Sequence, residues 1–342
     1  MKLADFKFKL PEKYIAQYPV EPRDKAKLMV LDRKTGDIED KIFRDITEHI
    51  TKNDCLVLNE TRVFPARLMA RKEKTNAKVE VFLLRELENN LWEVLVKPAR
   101  KVRIGNRLVV DGVYCDVIDN TVSGGRVVRF IYPQADFHKF IDKVGQCPLP
   151  PYIKRSAEES DKEDYQTVFA RVRGSVAAPT AGLHFTKELL GRLKRKGVTI
   201  VPLVLHVGLG TFRKVQVEDL SRHKMDSEYF EIPEITARAI NQTKDKGGKV
   251  IAVGSTVVRS IESAVTSLNR VKPHRGWTDK FMYPPYEFKI VDKMVTNFHT
   301  PESTLLMLAA AFGGKDNIFK AYKKAMKDNY RFYSFGDAML IE

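Results

Sequence analysis

Residues 249–265 read KVIAVGSTVVRSIESAV. The apolar run from Val250 to Val253 suits a strand, and Gly254-Ser255 turns it into a helix that carries Val257, Val258 and Ile261 at helical spacing. The same alternation extends in both directions. Upstream, Thr186 caps a predicted helix, KELLGRLKRK, that stops at Gly197, and the strand VTIVPLVL (198–205) follows. Pro233 opens a second helix that ends at Gly247-Gly248. Downstream, Thr300-Pro301 opens the helix ESTLLMLAAAF, which stops at Gly313-Gly314. Near the N-terminus, Pro11 opens a short helix reaching about Ala16, and KLMVLDR (27–33), a strand near Ile38 and CLVLNETRV (55–63) are further strands. This pattern predicts an α/β fold with a mixed open sheet, flanking helices and loops gathered at one edge.

From about Pro65 to Pro133 the texture changes. ARLMARK, AKVEVFLLR, LWEVLVKP, NRLVV, VYCDVI and RVVRFIY are short candidate strands with almost no helical periodicity between them. Asp111-Gly112 marks a tight hairpin, because a type I′ turn needs positive φ. Asn89-Asn90 and Ser123-Gly124-Gly125 serve as further turns. Strands at this spacing predict a small β-barrel, inserted as residues 65–133 into an α/β domain formed by 1–64 and 134–342. SAEESDKED (156–164) is polar, charged and expected to be mobile.

The chain has 342 residues, 43% of them hydrophobic, which is enough for a sizeable core and excludes wholesale disorder. With 59 Lys and Arg against 44 Asp and Glu the net charge is +15, which favours a polyanionic partner such as nucleic acid. Two segments concentrate it: Lys97, Arg100, Lys101, Arg103 and Arg107, and the helix from Lys187 to Lys196. Cys55, Cys115 and Cys147 form no Cys-x-x-Cys pair, so no zinc site or disulfide framework is expected, and free thiols fit a reducing cytoplasm. The longest apolar run, near Leu305–Phe312, is far short of the roughly 18 residues a bilayer requires. No signal-peptide segment opens the chain, and a cytoplasmic monomer without a membrane partner is expected.

Chemistry-bearing residues cluster at the predicted loops. HVGLGTF (206–212) places Gly208 and Gly210 after a strand, but no third glycine completes a dinucleotide fingerprint. It is a tight strand exit or a place where a ligand meets bare backbone. APTAGLHFT (178–186) bends before the helix capped by Thr186, whose free N–H groups suit an anion. Its His184 serves either a structural hydrogen bond or a proton transfer. HKMDSEYF (223–230) brings His223, Asp226 and Glu228 close together, with the two carboxylates on one face if the segment is a strand. His-x-x-Asp is no standard metal spacing, so a carboxylate base or a solvated edge are the readings. Ser255 and Thr256 open a helix on which Arg259 and Glu262 could pair. TNFHTPES (296–303) places Asn297 and His299 before an apolar helix that Glu302 or Ser303 could cap. RFYSFGDAML adds Arg331, Asp337 and aromatic rings, which suit either a core or a purine.

Several long segments together resemble one family. LVLNETRVFPARL (56–68), LPPYIKR (149–155), YQTVFA (165–170), GSVAAPTAGLHFT (174–186), LHVGLGTF (205–212), SEYFEIP (227–233), VGSTVVRS (253–260), TNFHTPESTLLML (296–308) and YRFYSFGDAML (330–340) resemble S-adenosylmethionine:tRNA ribosyltransferase-isomerase. The resemblance runs in order from end to end. It implies an α/β domain carrying a β-barrel, acting in bacterial queuosine biosynthesis. The implied reaction moves the ribosyl part of S-adenosylmethionine onto 7-aminomethyl-7-deazaguanine at the tRNA wobble position, giving epoxyqueuosine-tRNA, adenine and methionine. S-adenosylmethionine is then a consumed co-substrate, and no permanent cofactor or metal is expected.

That chemistry assigns roles as expectations. The sulfonium acidifies its neighbouring C5′ protons, so a base is needed, and His184 and Glu228 are the candidates. Departing adenine needs a proton or hydrogen bonds, which His299 or Asp337 could supply. The backbone at Ala181-Gly182 and Gly208-Leu209-Gly210 could hold the methionine or ribose, and Arg259 the methionine carboxylate. Thr180, His206, Thr211, Ser255, Thr256 and Asn297 complete the expected binding set. Asp226 stands where family members commonly carry His, Ser255 where Thr is usual, and Thr300 where Leu is common. Two rival classes give other products or none: an S-adenosylmethionine-dependent RNA methyltransferase would release S-adenosylhomocysteine, and a tRNA-binding module would do no chemistry.

Overall fold

A computed structural model describes residues 1–122, 124–208, 210 and 215–342. The strand at 250–253 lies inside a nine-stranded sheet. Its parallel centre is formed by β3 (Cys55–Asn59), β12 (Thr199–Leu205), β14 (Val250–Val253) and β16 (Lys293–Asn297). β17 (Ala338–Ile341) runs antiparallel to β16 and parallel to β1 (Lys27–Leu31), which ends the sheet with the hairpin strand β2 (Ile38–Ile42). On the other side, β13 (Glu228–Ile232) and β15 (His274–Thr278) add antiparallel edge strands beyond β12.

The central strands are apolar because both of their faces are covered. In β3, Cys55 and Val57 face one core while Leu56 and Leu58 face another. The first core is closed by α4 (Glu234–Asp245), α5 (Ser255–Ser263), α6 (Thr304–Gly313) and α7 (Lys315–Lys327). The second is closed by α3 (Lys187–Arg195) and a 3-10 segment, Phe43–Glu48. The caps follow the expected chemistry. Thr186 Oγ1 accepts from Leu189 N–H at 3.1 Å, and Gly197 leaves α3 with φ of 89°. Ser303, not Glu302, caps α6, so that helix starts at Thr304.

The six strands expected between 65 and 133 form a closed barrel in the order β10-β7-β6-β5-β8-β9. They are β5 (Arg67–Lys72), β6 (Lys78–Glu88), β7 (Leu91–Lys97), β8 (Arg107–Val110), β9 (Val113–Asn120) and β10 (Arg126–Ile131). Alternate residues point inward, as Trp92, Val94 and Val96 do on β7. Asp111 and Gly112 both adopt positive φ, as the β8–β9 hairpin requires. Helix α1 (Gln134–Val144) packs Phe137, Phe140 and Ile141 into the barrel core. A short strand pair, β4 (Thr61–Val63) with β11 (Val172–Ser175), lies between barrel and sheet.

Three sequence readings need correction. The helix expected from Pro11 to Ala16 is a 3-10 turn over Glu12–Tyr14. CLVLNETRV is two strands rather than one, because the chain bonds to β12 as far as Glu60, whose N–H donates to Leu203 O at 2.9 Å, and from Thr61 pairs with β11 instead. The charged stretch 156–164 is anchored: Asp161 is fully buried and takes a bidentate pair from Arg155 at 2.7 Å for each bond. That geometry holds the Asp161 carboxyl below its usual range, burial notwithstanding.

Candidate functional site

The parallel strands end at a common edge, where loops from β3, β12, β14 and β16 converge. In an open α/β sheet this is where a ligand crevice forms. A pocket lies there, lined by Ala177–Ala181, Val207, Gly254–Thr256, Thr296, Asn297, His299, Thr300 and Leu305, with Tyr152, Tyr333 and Ser334 on the far wall. Six separated segments therefore meet at one place. No lysine, arginine, aspartate or glutamate is among these lining residues.

Each wall has a local cause. Gly254 leaves β14 with φ of 94°, a conformation that costs other residues more, and so aims the first turn of α5 at the pocket. The helix N-terminus facing the pocket is thus that of α5, at Ser255 and Thr256, rather than that of α3. Asn59, 1% exposed, ties this corner together. Its Oδ1 accepts from Leu205 and Thr61 N–H at 3.0 and 3.1 Å, and its Nδ2 donates to Leu205 O at 2.9 Å and Thr256 Oγ1 at 3.3 Å. Ser175 does similar work beneath Val207, whose N–H it accepts at 2.8 Å.

Asn297 ends β16. Its Oδ1 accepts from Thr180 Oγ1 at 3.1 Å, and its Nδ2 donates to Tyr333 O at 3.1 Å and lies 3.3 Å from His184 Nε2. His184 does not line the pocket. It sits behind Asn297 with its ring 5.0 Å from that of Phe43. Burial, helped by the Arg331 and Arg23 charges, pushes its pKa down from 6.5 to about 3, so Nε2 is an acceptor for the amide. His299 does line the pocket. Its Nε2 is 2.7 Å from Thr296 Oγ1, and its N–H donates to Tyr322 Oη at 2.8 Å. Burial also lowers it to about 3.

Glu228 and Arg259, each 4% exposed, form a buried ion pair with each other. The second Glu228 oxygen accepts from Gly208 N–H at 2.9 Å, and the guanidinium also donates to Lys280 O and Thr278 O. The expected Arg259–Glu262 pairing does not occur. Glu262 accepts backbone N–H bonds from Lys289, Ile290 and Val291. Strand β13 begins at Glu228, so Asp226 lies outside it and does not share a strand face with it. Asp226 instead packs beside Gly210.

Of the expected residues, Thr180, Ala181, Ser255, Thr256, Asn297 and His299 line the pocket. Gly182 lies behind, against Phe169 and Thr167. His206 precedes Val207 on the rim, with Nδ1 2.8 Å from Thr61 Oγ1, and burial lowers its pKa. Asp337 is buried away from the pocket, accepting from Lys27 and Arg331 N–H at 3.1 and 2.7 Å. Thr211 and Leu209 fall outside the described residues. Sequence reasoning left out Asn59, Ser175, Tyr152, Thr296 and Tyr333. Tyr152 and Tyr333 approach at 4.5 Å between centroids and offer a paired aromatic wall. Both lie inside LPPYIKR and YRFYSFGDAML, but apolar neighbours (Pro151 and Ile153, Phe332) make them look like core residues in the sequence.

Among the described residues, no group of three or more His, Cys, Asp or Glu is placed to hold a metal, and no helix is long and apolar enough to cross a membrane. The three free thiols are buried, and Cys55 and Cys147 are each pushed up to about 12 by burial.

Comparison with known proteins places this architecture. A family model described as "Queuosine biosynthesis protein" matches residues 3–341. A protein from Chloroherpeton thalassium named S-adenosylmethionine:tRNA ribosyltransferase-isomerase is 56% identical over 345 residues, covering 100% of both chains. A protein of the same name from Cytophaga hutchinsonii is 55% identical over 347 residues, again with 100% of both chains covered. The crystal structure of S-adenosylmethionine tRNA ribosyltransferase from Thermotoga maritima is 40% identical, with 99% of this chain and 100% of that one covered and a TM-score of 0.57. The chain belongs to the queuosine biosynthesis protein family.

Proposed function

We propose that this chain transfers and isomerises the ribosyl moiety of S-adenosylmethionine onto 7-aminomethyl-7-deazaguanine at the wobble position of tRNA. Epoxyqueuosine-tRNA, adenine and methionine are the products. The observation that carries the reading is the pocket itself: six of the family-like segments converge on it, and among the described residues none that lines it bears a formal charge.

S-adenosylmethionine brings a sulfonium, an ammonium and a carboxylate. A pocket lined by hydroxyls, amides and tyrosine rings can hold the sulfonium without a repelling cation. The low pKa of His299 keeps that imidazole neutral at physiological pH. The Tyr152–Tyr333 wall offers π-faces to the sulfonium or the purine. The first turn of α5, with Ser255 and Thr256, offers N–H and O–H donors to an anionic group.

The placement of side chains also redistributes the roles. His299 is the imidazole on the pocket wall, and we assign it the adenine-binding role, since a pKa held at about 3 makes it a poor proton acceptor. His184 and Glu228 act one layer behind it. His184 orients the Asn297 amide, and Glu228 fixes Gly208 and the adjoining Val207 wall. The nucleophile is the substrate's own neutral amine, so no activated serine or cysteine is needed. Cytoplasmic location, a monomeric state and the absence of a permanent cofactor belong to this same proposal.

The test is a product assay with purified protein, S-adenosylmethionine and tRNA carrying the aminomethyl-deazaguanine, read by mass spectrometry. Free adenine with an epoxyqueuosine nucleoside is expected. S-adenosylhomocysteine with a methylated nucleoside would overturn the reading, as would tight tRNA binding without any product.

A further inference from the structure

A row of rings runs from the pocket rim to the edge of the sheet. His206, Tyr229 and Trp277 stand side by side on β12's exit, β13 and β15. Tyr229 is paired with Trp277 across the strands, and His206 N–H donates to Tyr229 O at 3.0 Å. The His206 and Tyr229 rings are stacked at 5.9 Å and 21°, and Tyr229 meets Trp277 edge-on at 5.8 Å. The inner end is fixed: Thr61 holds His206 Nδ1, and a Cβ on Gly174 would lie 2.5 Å from the His206 ring, so only glycine admits it there. The next residue, Val207, lines the pocket.

The outer end is open. Trp277 is 52% exposed on an edge strand. A single exposed tryptophan is ordinary on a surface, but this one ends an ordered row that leads into a pocket. Cations flank it. The Arg85 guanidinium reaches from barrel strand β6 to 5.3 Å from the indole centroid, and Arg275 lies two residues before Trp277 on the same face with a 76% exposed side chain. Arg85 and Arg275 are each held by a carboxylate, Glu93 and Glu231. Flat rings with positioned guanidinium groups are what unpaired bases and their phosphates require.

We propose that His206, Tyr229 and Trp277 form a stacking platform for unpaired bases of an RNA loop, next to the base held in the pocket, with Arg85 and Arg275 serving the phosphates. This rests on the tRNA reading above and names the surface that performs it. Because Arg85 belongs to the barrel and Trp277 to the sheet, RNA bound there would touch both parts of the chain at their seam.

The test titrates an anticodon stem-loop RNA into the full chain at fixed ionic strength, read by fluorescence anisotropy of a labelled RNA. Trp277→Ala should weaken binding about ten- to a hundredfold, as the loss of a stacked base does, while Trp277→Tyr should keep most of it. S-adenosylmethionine affinity, measured by calorimetry, should not change in either. RNA should also quench the exposed indole of the wild type, and Trp277→Phe should remove that quench although Trp92, buried in the barrel core, remains. Wild-type RNA affinity in Trp277→Ala, or no indole quench when RNA binds the wild type, would overturn the proposal. So would a dimer in sedimentation that Trp277→Ala dissolves, since the row would then serve self-association. A wild type that binds RNA and gives no adenine would instead defeat the enzymatic reading and leave the platform standing.

Discussion

Replacing Arg259 with methionine separates two roles for that side chain, a substrate clamp and an internal clasp. The guanidinium is 4% exposed and is occupied by Glu228 and by the carbonyls of Thr278 and Lys280. Methionine keeps much of the apolar stem but leaves the Glu228 carboxylate buried with Gly208 N–H as its remaining partner. Breaking one side of a buried pair typically costs about 3–5 kcal/mol, because the orphaned charge stays desolvated. At roughly 2 °C per kcal/mol for a chain of this size, the thermal midpoint should fall by about 6–10 °C. Urea unfolding should show a lower midpoint with an unchanged slope. Adding Glu228→Gln removes the orphaned charge and keeps an acceptor for Gly208. The double variant should therefore recover about half of the loss, and because Glu228→Gln alone strands the buried guanidinium, the coupling in the cycle should exceed that recovery of about 2 kcal/mol. If Arg259→Met unfolds within about 1 kcal/mol of the wild type while losing S-adenosylmethionine affinity, the clasp argument is wrong and the arginine is a binding residue.

Three further outcomes follow from the same geometry. His184 and His299 are both held at about 3 by burial, against an ordinary 6.5. The unfolded chain takes up protons that the native one refuses, so their contribution is complete above about pH 6.5 and is lost as pH falls toward 3. Together they give a slope of up to about 2.7 kcal/mol per pH unit near pH 5, and His184→Gln should halve that share in urea midpoints measured from pH 7.5 to 4.5. Burial raises all three thiols above their ordinary range. An aromatic disulfide reagent should thus label none of them in the native state and all three in denaturant, and fast native labelling would contradict the packing. Gly174→Ala drives a Cβ to 2.5 Å from the His206 ring and should cost about 1–3 kcal/mol by overpacking. An unaltered urea midpoint would mean that His206 moves aside freely.

The barrel was legible in the sequence because its strands pair with near neighbours through hairpins. A period of two and an Asp-Gly turn then carry both the strands and their register. The parallel sheet was legible as strands and helices, but not in its order. β3 sits between β12 and β14, an order that hydrophobic runs of equal quality do not announce. Helix α1 shows the same limit: residues 134–144 follow the last barrel strand, and nothing in their sequence says that Phe137, Phe140 and Ile141 enter the barrel core. In the site, hydroxyl and amide residues at strand exits could be found, since Gly254-Ser255 and Asn297 announce a turn. The charged residues were harder. Glu228 and Arg259 lie 31 positions apart and pair with each other, a contact that no spacing in the sequence announces. Asn59 went unnoticed because a polar residue ending an apolar strand looks like solvent exposure, whereas its four bonds are all internal.

The central claim is that S-adenosylmethionine is held at the strand ends, between α5 and the tyrosine pair. The direct measurement is a crystal structure of the chain with S-adenosylmethionine and without tRNA, when no acceptor is present to consume it. The account predicts density for the whole molecule against Ser255, Thr256, Asn297, His299 and Tyr333, with a π-face of Tyr152 or Tyr333 toward the sulfonium or the purine. Density instead in the cleft between barrel and sheet, beside Arg62, Phe64, Cys147 and Arg173, would contradict it.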